Sequence, residues 1–143
     1  MKSGPFVWPL RIYYEDTDVS GVVYHANYLR FFERARTEWL RTLGCSQEQL
    51  RNEMGVAFTV TSIDIAFRSP ARLDDELEAT VAVTELRRAS LRFSQTLRLR
   101  AQPERVLATA LVRVACVDMQ GFKPKPLPSG FERIVVEHAA ITI

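Results

Sequence analysis

Apolar and polar residues alternate at two different periods along this chain, and the switches between them mark out its elements. Leu10, Ile12 and Tyr14 alternate with Arg11 and Tyr13, the period of a half-buried strand. From Asn27 the spacing changes: Tyr28, Phe32, Ala35 and Trp39 fall on one helical stripe, widened by Leu29, Leu40 and Leu43, while Arg30, Glu33, Arg34, Thr37, Glu38 and Arg41 face away. Gly44 reads as the stop, giving a helix about 26 Å long. On its outer face Arg34, Glu38 and Arg41 are expected to form solvated ion pairs, each contributing a few tenths of a kcal/mol. Ser46 with Gln49 has capping-box spacing and opens a short helix through Leu50 and Met54 that Gly55 closes.

Beyond Gly55 the period returns to two. Val56, Phe58 and Val60 share one parity and Ile63, Ile65 and Phe67 the other, so a bulge is expected near Thr61 and Ser62. Ser69-Pro70 ends that run. Leu77, Ala79, Val81 and Val83 mark the next strand, and Leu91, Phe93, Leu97 and Leu99 the one after. A turn at Gln102-Pro103-Glu104 leads to a last strand with Val106, Ala108, Ala110, Val112, Val114 and Cys116 on one face. The three prolines of Phe122 to Pro128 hold that segment extended, ending or edging the core. These elements predict a single α+β domain with its core at about residues 8–122 and an extended C-terminal segment over 122–143. An antiparallel sheet covers one long helix.

Composition narrows the possibilities. At 143 residues, 47% hydrophobic and 25% charged, the chain reads as one ordinary globular domain. Nineteen basic against 17 acidic residues give a net charge of +2, which argues against a nucleic-acid protein that works by phosphate neutralisation. No apolar run is long enough to span a bilayer, and Pro5 and Pro9 interrupt the N-terminal stretch where a secretory signal would lie, so a cytoplasmic location is expected. Cys45 and Cys116, far apart, read as free and inert thiols.

One stretch, EDTDVSGVVYHANY from Glu15 to Tyr28, carries more polar chemistry than a turn requires. Asp16, Asp18, Ser20 and Gly21 fit the first, third, fifth and sixth places of a calcium loop. The twelfth place is Asn27 rather than glutamate, and a strand precedes the loop where a helix is needed, so calcium binding is rejected. Ser20 lacks a G-x-S-x-G elbow for triad chemistry. Ordinary turn duty remains open, with Asp16 and Asp18 bonding local amides and Asn27 capping the helix. Val22, Val23 and Tyr24 weigh against it, because they carry the loop into apolar surroundings. There a carboxylate at Asp18 is expected to stand opposite unpaired amides around His25 to Asn27, where the helix start favours an oxyanion. Half of an acyl-transfer site results.

The run YYEDTDVSGVVYHANYLRFFERARTEWLR resembles the signature of the hotdog-fold thioesterases of the 4-hydroxybenzoyl-CoA type, most closely the Tol-Pal-associated acyl-CoA thioesterases. The resemblance spans about Leu10 to Phe122. It implies a hotdog fold, dimers that pair their sheets and assemble into homotetramers, and hydrolysis of a small aliphatic or aromatic acyl-CoA without a further cofactor or metal. It makes Asp18 the catalytic carboxylate, as general base or nucleophile, with the His25 amide on the thioester carbonyl and its imidazole in the pocket. Val22, Tyr24, Asn27 and Thr59 are expected to line that pocket. Arg68, Arg88 and Lys123 are candidates for the coenzyme A phosphates. Val19-Ser20 departs from the family pattern, which has smaller residues there, and Val19 is expected to narrow the pocket. Two alternatives stay open: a hotdog dehydratase acting on 3-hydroxyacyl thioesters, and a non-enzymatic acyl-binding partner of acyl carrier protein or of a cell-envelope complex.

Overall fold

The computed structural model describes residues 5–138; residues 1–4 and 139–143, the ends of the N-terminal run and of the C-terminal segment discussed above, lie outside them. Strand β1 (Phe6–Arg11) leads through a 3-10 turn (Tyr14–Asp16) to helix α1 (Asn27–Thr42). A short helical turn α2 (Gln47–Gln49), continued as a π-helical turn (Leu50–Met54), precedes β2 (Val56–Phe67), β3 (Glu76–Leu86), β4 (Ser90–Leu99) and β5 (Val106–Asp118). Helix α3 (Phe131–His138) ends the described chain. All five strands join one antiparallel sheet in the order β1-β3-β4-β5-β2.

The expected period-two faces become the floor of the core. Leu77, Ala79, Val81 and Val83 of β3, Leu91, Phe93 and Leu97 of β4, and Ala108, Ala110, Val112, Val114 and Cys116 of β5 are buried in one cluster with Tyr28, Phe31, Phe32, Ala35, Trp39 and Leu40 of α1. Trp39 meets Phe93 edge-on at 5.3 Å between centroids. The expected bulge in β2 is a register shift between Val60 and Ser62, and the Ser46 hydroxyl accepts the Gln49 amide as the capping box requires.

Four expectations are corrected. Strand β1 begins at Phe6 and runs through Pro9, which an edge strand tolerates because one side of its backbone needs no donor; Tyr14, expected on the buried parity, is exposed in the 3-10 turn. Leu29 is exposed, and the stripe is widened instead on its other flank, by Phe31. Glu38 pairs with Arg41 at 2.7 Å, not with Arg34. The C-terminal segment is not extended throughout. Its proline-rich part runs along the end of β5, with Lys125 N–H donating to Cys116 O, and then α3 buries Phe131 and Val135, Phe131 lying 5.7 Å from Phe58.

A polar residue sits at the centre of this floor. Gln95 occupies the buried parity of β4 and is 1% exposed. Its Nε2 donates to the carbonyls of Phe32 in α1 and Thr80 in β3, and its Oε1 accepts from Arg36 Nη1. These bonds tie helix to sheet. Gln95→Leu keeps the volume and removes the donors, so a loss of about 1–3 kcal/mol in urea unfolding is expected, with an unchanged far-ultraviolet spectrum of the native state.

Candidate active site

The loop from Ile12 to Asn27 is built by short-range hydrogen bonds that its polar residues supply. Asp16 Oδ2 accepts the Tyr13 amide, and the Asp16 carbonyl accepts both the Tyr24 amide and Asn27 Nδ2. Thr17 and Val23 then bridge across a tight turn in which Gly21 N–H donates to Asp18 O. Gly21 has φ +82°, a conformation glycine adopts without a Cβ penalty. Val23 is buried and donates its amide to Ala71 O, while Ala71 N–H donates to the Tyr28 hydroxyl at 3.0 Å. The loop is thereby fixed to both α1 and the segment after β2.

At the foot of α1 two amides stand out. Asn27 N–H donates to Tyr24 O and Tyr28 N–H to His25 O, whereas the amides of His25 and Ala26 have no acceptor among the described residues. Ala26 is the N-cap and caps nothing with its side chain. Such amides, at the positive end of a helix of 16 residues, suit a developing oxyanion. Beside them runs an open groove of about 270 Å3 lined by Val23, His25, Tyr28, Phe67, Arg68, Ser69 and Pro70. The His25 ring lies in it, 6.1 Å from Phe67.

The structure brings some of the expected residues together at this groove and sets others apart from it. His25 and Arg68 line the groove as expected. Asn27 does not line it, nor does it cap α1; its amide straps the loop through Asp16 O. Val22 is spent on a bridge to Arg72, and its neighbour Val23 forms the wall. Tyr24 packs on the His25 ring at 4.7 Å from outside the groove, half exposed. Val19 is fully exposed and narrows nothing within the chain. Thr59 pairs with Ala115 far along β2, and Arg88, whose carbonyl accepts the Leu127 amide, lies with Lys123 at that same remote end. Phe67, Tyr28, Ser69 and Pro70 were missed, Tyr28 because its helical spacing marked it only as core.

Asp18 departs furthest from expectation. Its carboxylate does not look across a nonpolar cleft: it is exposed, and Oδ1 accepts the Ser20 amide at 2.8 Å and the Ser20 hydroxyl. The Ser20 hydroxyl first, then the Ser20 amide, holds the group below the ordinary carboxylate value of 3.8. A depressed pKa favours the ionised form in the folded chain. Its contribution to stability is therefore present above 3.8 and is lost as pH falls through the folded value.

Strand β2 bears on this exposure. It is an edge of the sheet, paired with β5 alone, and Val60, Ile63 and Phe67 are each about 40–50% exposed along it. A free edge of this length, with Asp64 as its one charge beside these apolar residues, is a template for another strand.

A family model described as "Thioesterase-like superfamily" matches residues 13–135. The chain belongs to the thioesterase-like superfamily. It is 46% identical over 128 residues to the "Acyl-CoA thioesterase YbgC" of Haemophilus influenzae, covering 90% of this chain and 92% of that one. To the "Acyl-CoA thioester hydrolase YbgC" of Escherichia coli it is 48% identical, covering 90% and 93%. Among solved structures, a probable thioesterase from Bartonella henselae superposes with a TM-score of 0.82 at 36% identity, over 87% of this chain and 100% of that one. A 1,4-dihydroxy-2-naphthoyl-CoA thioesterase from Synechocystis gives a TM-score of 0.86 at 23% identity, over 94% and 98%, a likeness of fold. The α+β architecture of this thioesterase-like chain is the hotdog fold, with α1 laid on a curved antiparallel sheet. Among the described residues no helix is long and apolar enough to cross a membrane.

Proposed function

We propose that the protein hydrolyses the thioester of a small aliphatic or aromatic acyl-CoA, at a site that two copies complete together. The observation that carries this reading is the pair of unsatisfied amides at His25 and Ala26, beside the groove, in a chain close to named acyl-CoA thioesterases. These amides receive the charge that develops on the thioester oxygen. Asp18 supplies the carboxylate, attacking the carbonyl carbon or taking a proton from the attacking water. No cofactor or metal enters this scheme, and a cytoplasmic setting belongs to the same proposal.

Exposure of Asp18 and the remoteness of Thr59 find a common account in the free edge of β2. An antiparallel pairing of two β2 strands centred on Ile63 sets residue 59 of one copy opposite residue 67 of the other, four positions either side of the centre. Neighbouring strands lie about 4.8 Å apart. The Thr59 end of a second copy, with its Arg88 and Lys123, then closes over the Asp18 loop and the His25 groove. Cations at that end, together with Arg68, are placed to take the phosphates of coenzyme A. Pairing of such dimers into tetramers, and delivery of the acyl group by a carrier protein or use in a cell-envelope complex, remain family expectations added to this core.

A panel of short-chain and aromatic acyl-CoA thioesters, followed by released thiol, tests the proposal. Turnover of at least one is expected; binding without thiol release from any of them sinks the hydrolase reading. The pH profile gives a second readout. The acid limb of kcat/KM reports the Asp18 carboxylate, which its bonds to Ser20 hold toward low pH. Ser20→Ala removes the hydroxyl that depresses it most, so the limb shifts to higher pH, while a limb that stays in place assigns the ionisation to another group.

A further inference from the structure

A second cavity, of about 110 Å3, lies between α1 and the sheet, apart from the His25 groove. Phe58, Val60 and Phe93 wall it on the sheet side and Trp39 on the helix side. Arg36 stands in the same wall, half-buried. Removing a cation from water disfavours its charged form, and burial does push the Arg36 guanidinium below its ordinary range, with Glu33 nearby acting in the opposite sense.

The guanidinium is held in place rather than neutralised. Both Gln95 amide hydrogens are committed to carbonyls, of Phe32 and Thr80, so the Gln95 oxygen is the atom that faces Arg36 and accepts Nη1 at 2.9 Å. Among the described residues Arg36 has no ion pair, and its other N–H groups have no acceptor. Glu33 and Thr37 also line the chamber, so its helix side is polar and its sheet side apolar; a rigid fork with donors to spare at that boundary fits an oxygen acceptor carried on a short apolar stem. The size is equally restrictive. Since an enclosed cavity of about 150 Å3 takes a benzene ring, this half-open one of about 110 Å3 suits about five heavy atoms beyond the thioester carbonyl.

Position connects this cavity to the reaction. Phe58 and Val60 belong to the first half of β2, the half that pairing about Ile63 sets against the His25 groove of the other copy. Within one chain Val60 and Phe67 are seven residues apart along β2, about 23 Å at 3.3 Å per residue. We propose that this cavity receives the acyl group of the thioester, and that Arg36 selects short acyl groups ending in a carboxylate, carbonyl or hydroxyl over alkyl groups of the same length. This rests on the thioester-hydrolase and paired-strand reading above and names its substrate class.

The test is a set of four-carbon CoA thioesters, butanoyl, 3-hydroxybutanoyl and succinyl, with uncatalysed rates subtracted. The wild type is expected to favour the two oxygen-bearing substrates by about tenfold or more in kcat/KM, mostly through KM. Arg36→Met brings that ratio close to one, and Arg36→Lys, which keeps a cation on a flexible stem, retains part of it. Equal kcat/KM for all three in the wild type overturns the inference, as does an Arg36→Met variant that slows all three by one factor. If Arg36→Met does not fold, the wild-type ratio and Arg36→Lys still decide. Thiol release without preference removes only this inference, whereas no release from any thioester removes the hydrolase reading beneath it.

Discussion

Asp18→Asn is expected to lower turnover of the best thioester by about a hundredfold or more while leaving the fold and the oligomeric state intact. Among the described residues the carboxylate bonds to Ser20, two residues away, and is exposed, so its loss disturbs no packing. An asparagine oxygen still accepts those two bonds, yet it neither attacks a carbonyl nor takes a proton from water near neutral pH. Steady-state kinetics on the variant, beside its thermal unfolding curve, checks both halves. Wild-type turnover in a folded Asp18→Asn protein ends the role assigned to this residue. Single-turnover hydrolysis in heavy-oxygen water tests the nucleophilic route, because label in the Asp18 carboxylate requires an aspartyl anhydride that water opens at the Asp18 carbon.

Ile63→Lys is expected to convert a paired species into monomers and, with it, to reduce kcat/KM by about a hundredfold, although residue 63 touches neither the Asp18 loop nor the His25 groove. Ile63 sits at the middle of the exposed run of β2, where a two-fold axis brings the two copies of one residue together. Two ammonium groups there repel, and a lysine is the usual protector of a free edge. Sedimentation and activity measured at one concentration are expected to fall together. An active monomer shows that one chain holds the whole site and removes the reason given for Asp18's exposure.

The fold was largely legible from periodicity, and for a physical reason. Each strand of the floor alternates strictly because one face meets α1 and the other does not, as in the run Leu77, Ala79, Val81, Val83. Where a residue escapes that two-sided environment, the pattern misled. The alternation read from Leu10 missed the start of edge strand β1, which runs from Phe6 through Pro9. Gln95 broke the apolar parity of β4, yet it is among the most buried residues, since its hydrogen-bond partners come from α1 and β3. Helix α3 carries Phe131, Ile134 and Val135 at helical spacing, but the prolines before it drew the whole segment toward an extended reading.

Local chemistry alone determined that a short polar loop, closed by Gly21 and running into a helix start, sits between the first strand and α1, because hydrogen bonds within a few residues build it. Sequence likewise determined the family, since the match extends over residues 13–135. Only the tertiary structure decided which way Asp18 faces, which amides stay free, that Thr59 and Arg88 lie remote from His25, and that Arg36 is locked by Gln95 beside a cavity. Each of those depends on what packs against a residue from a distant part of the chain. The free edge of β2 is of the same kind: nothing in its twelve residues distinguishes an edge strand from an inner one until the order of the sheet is known.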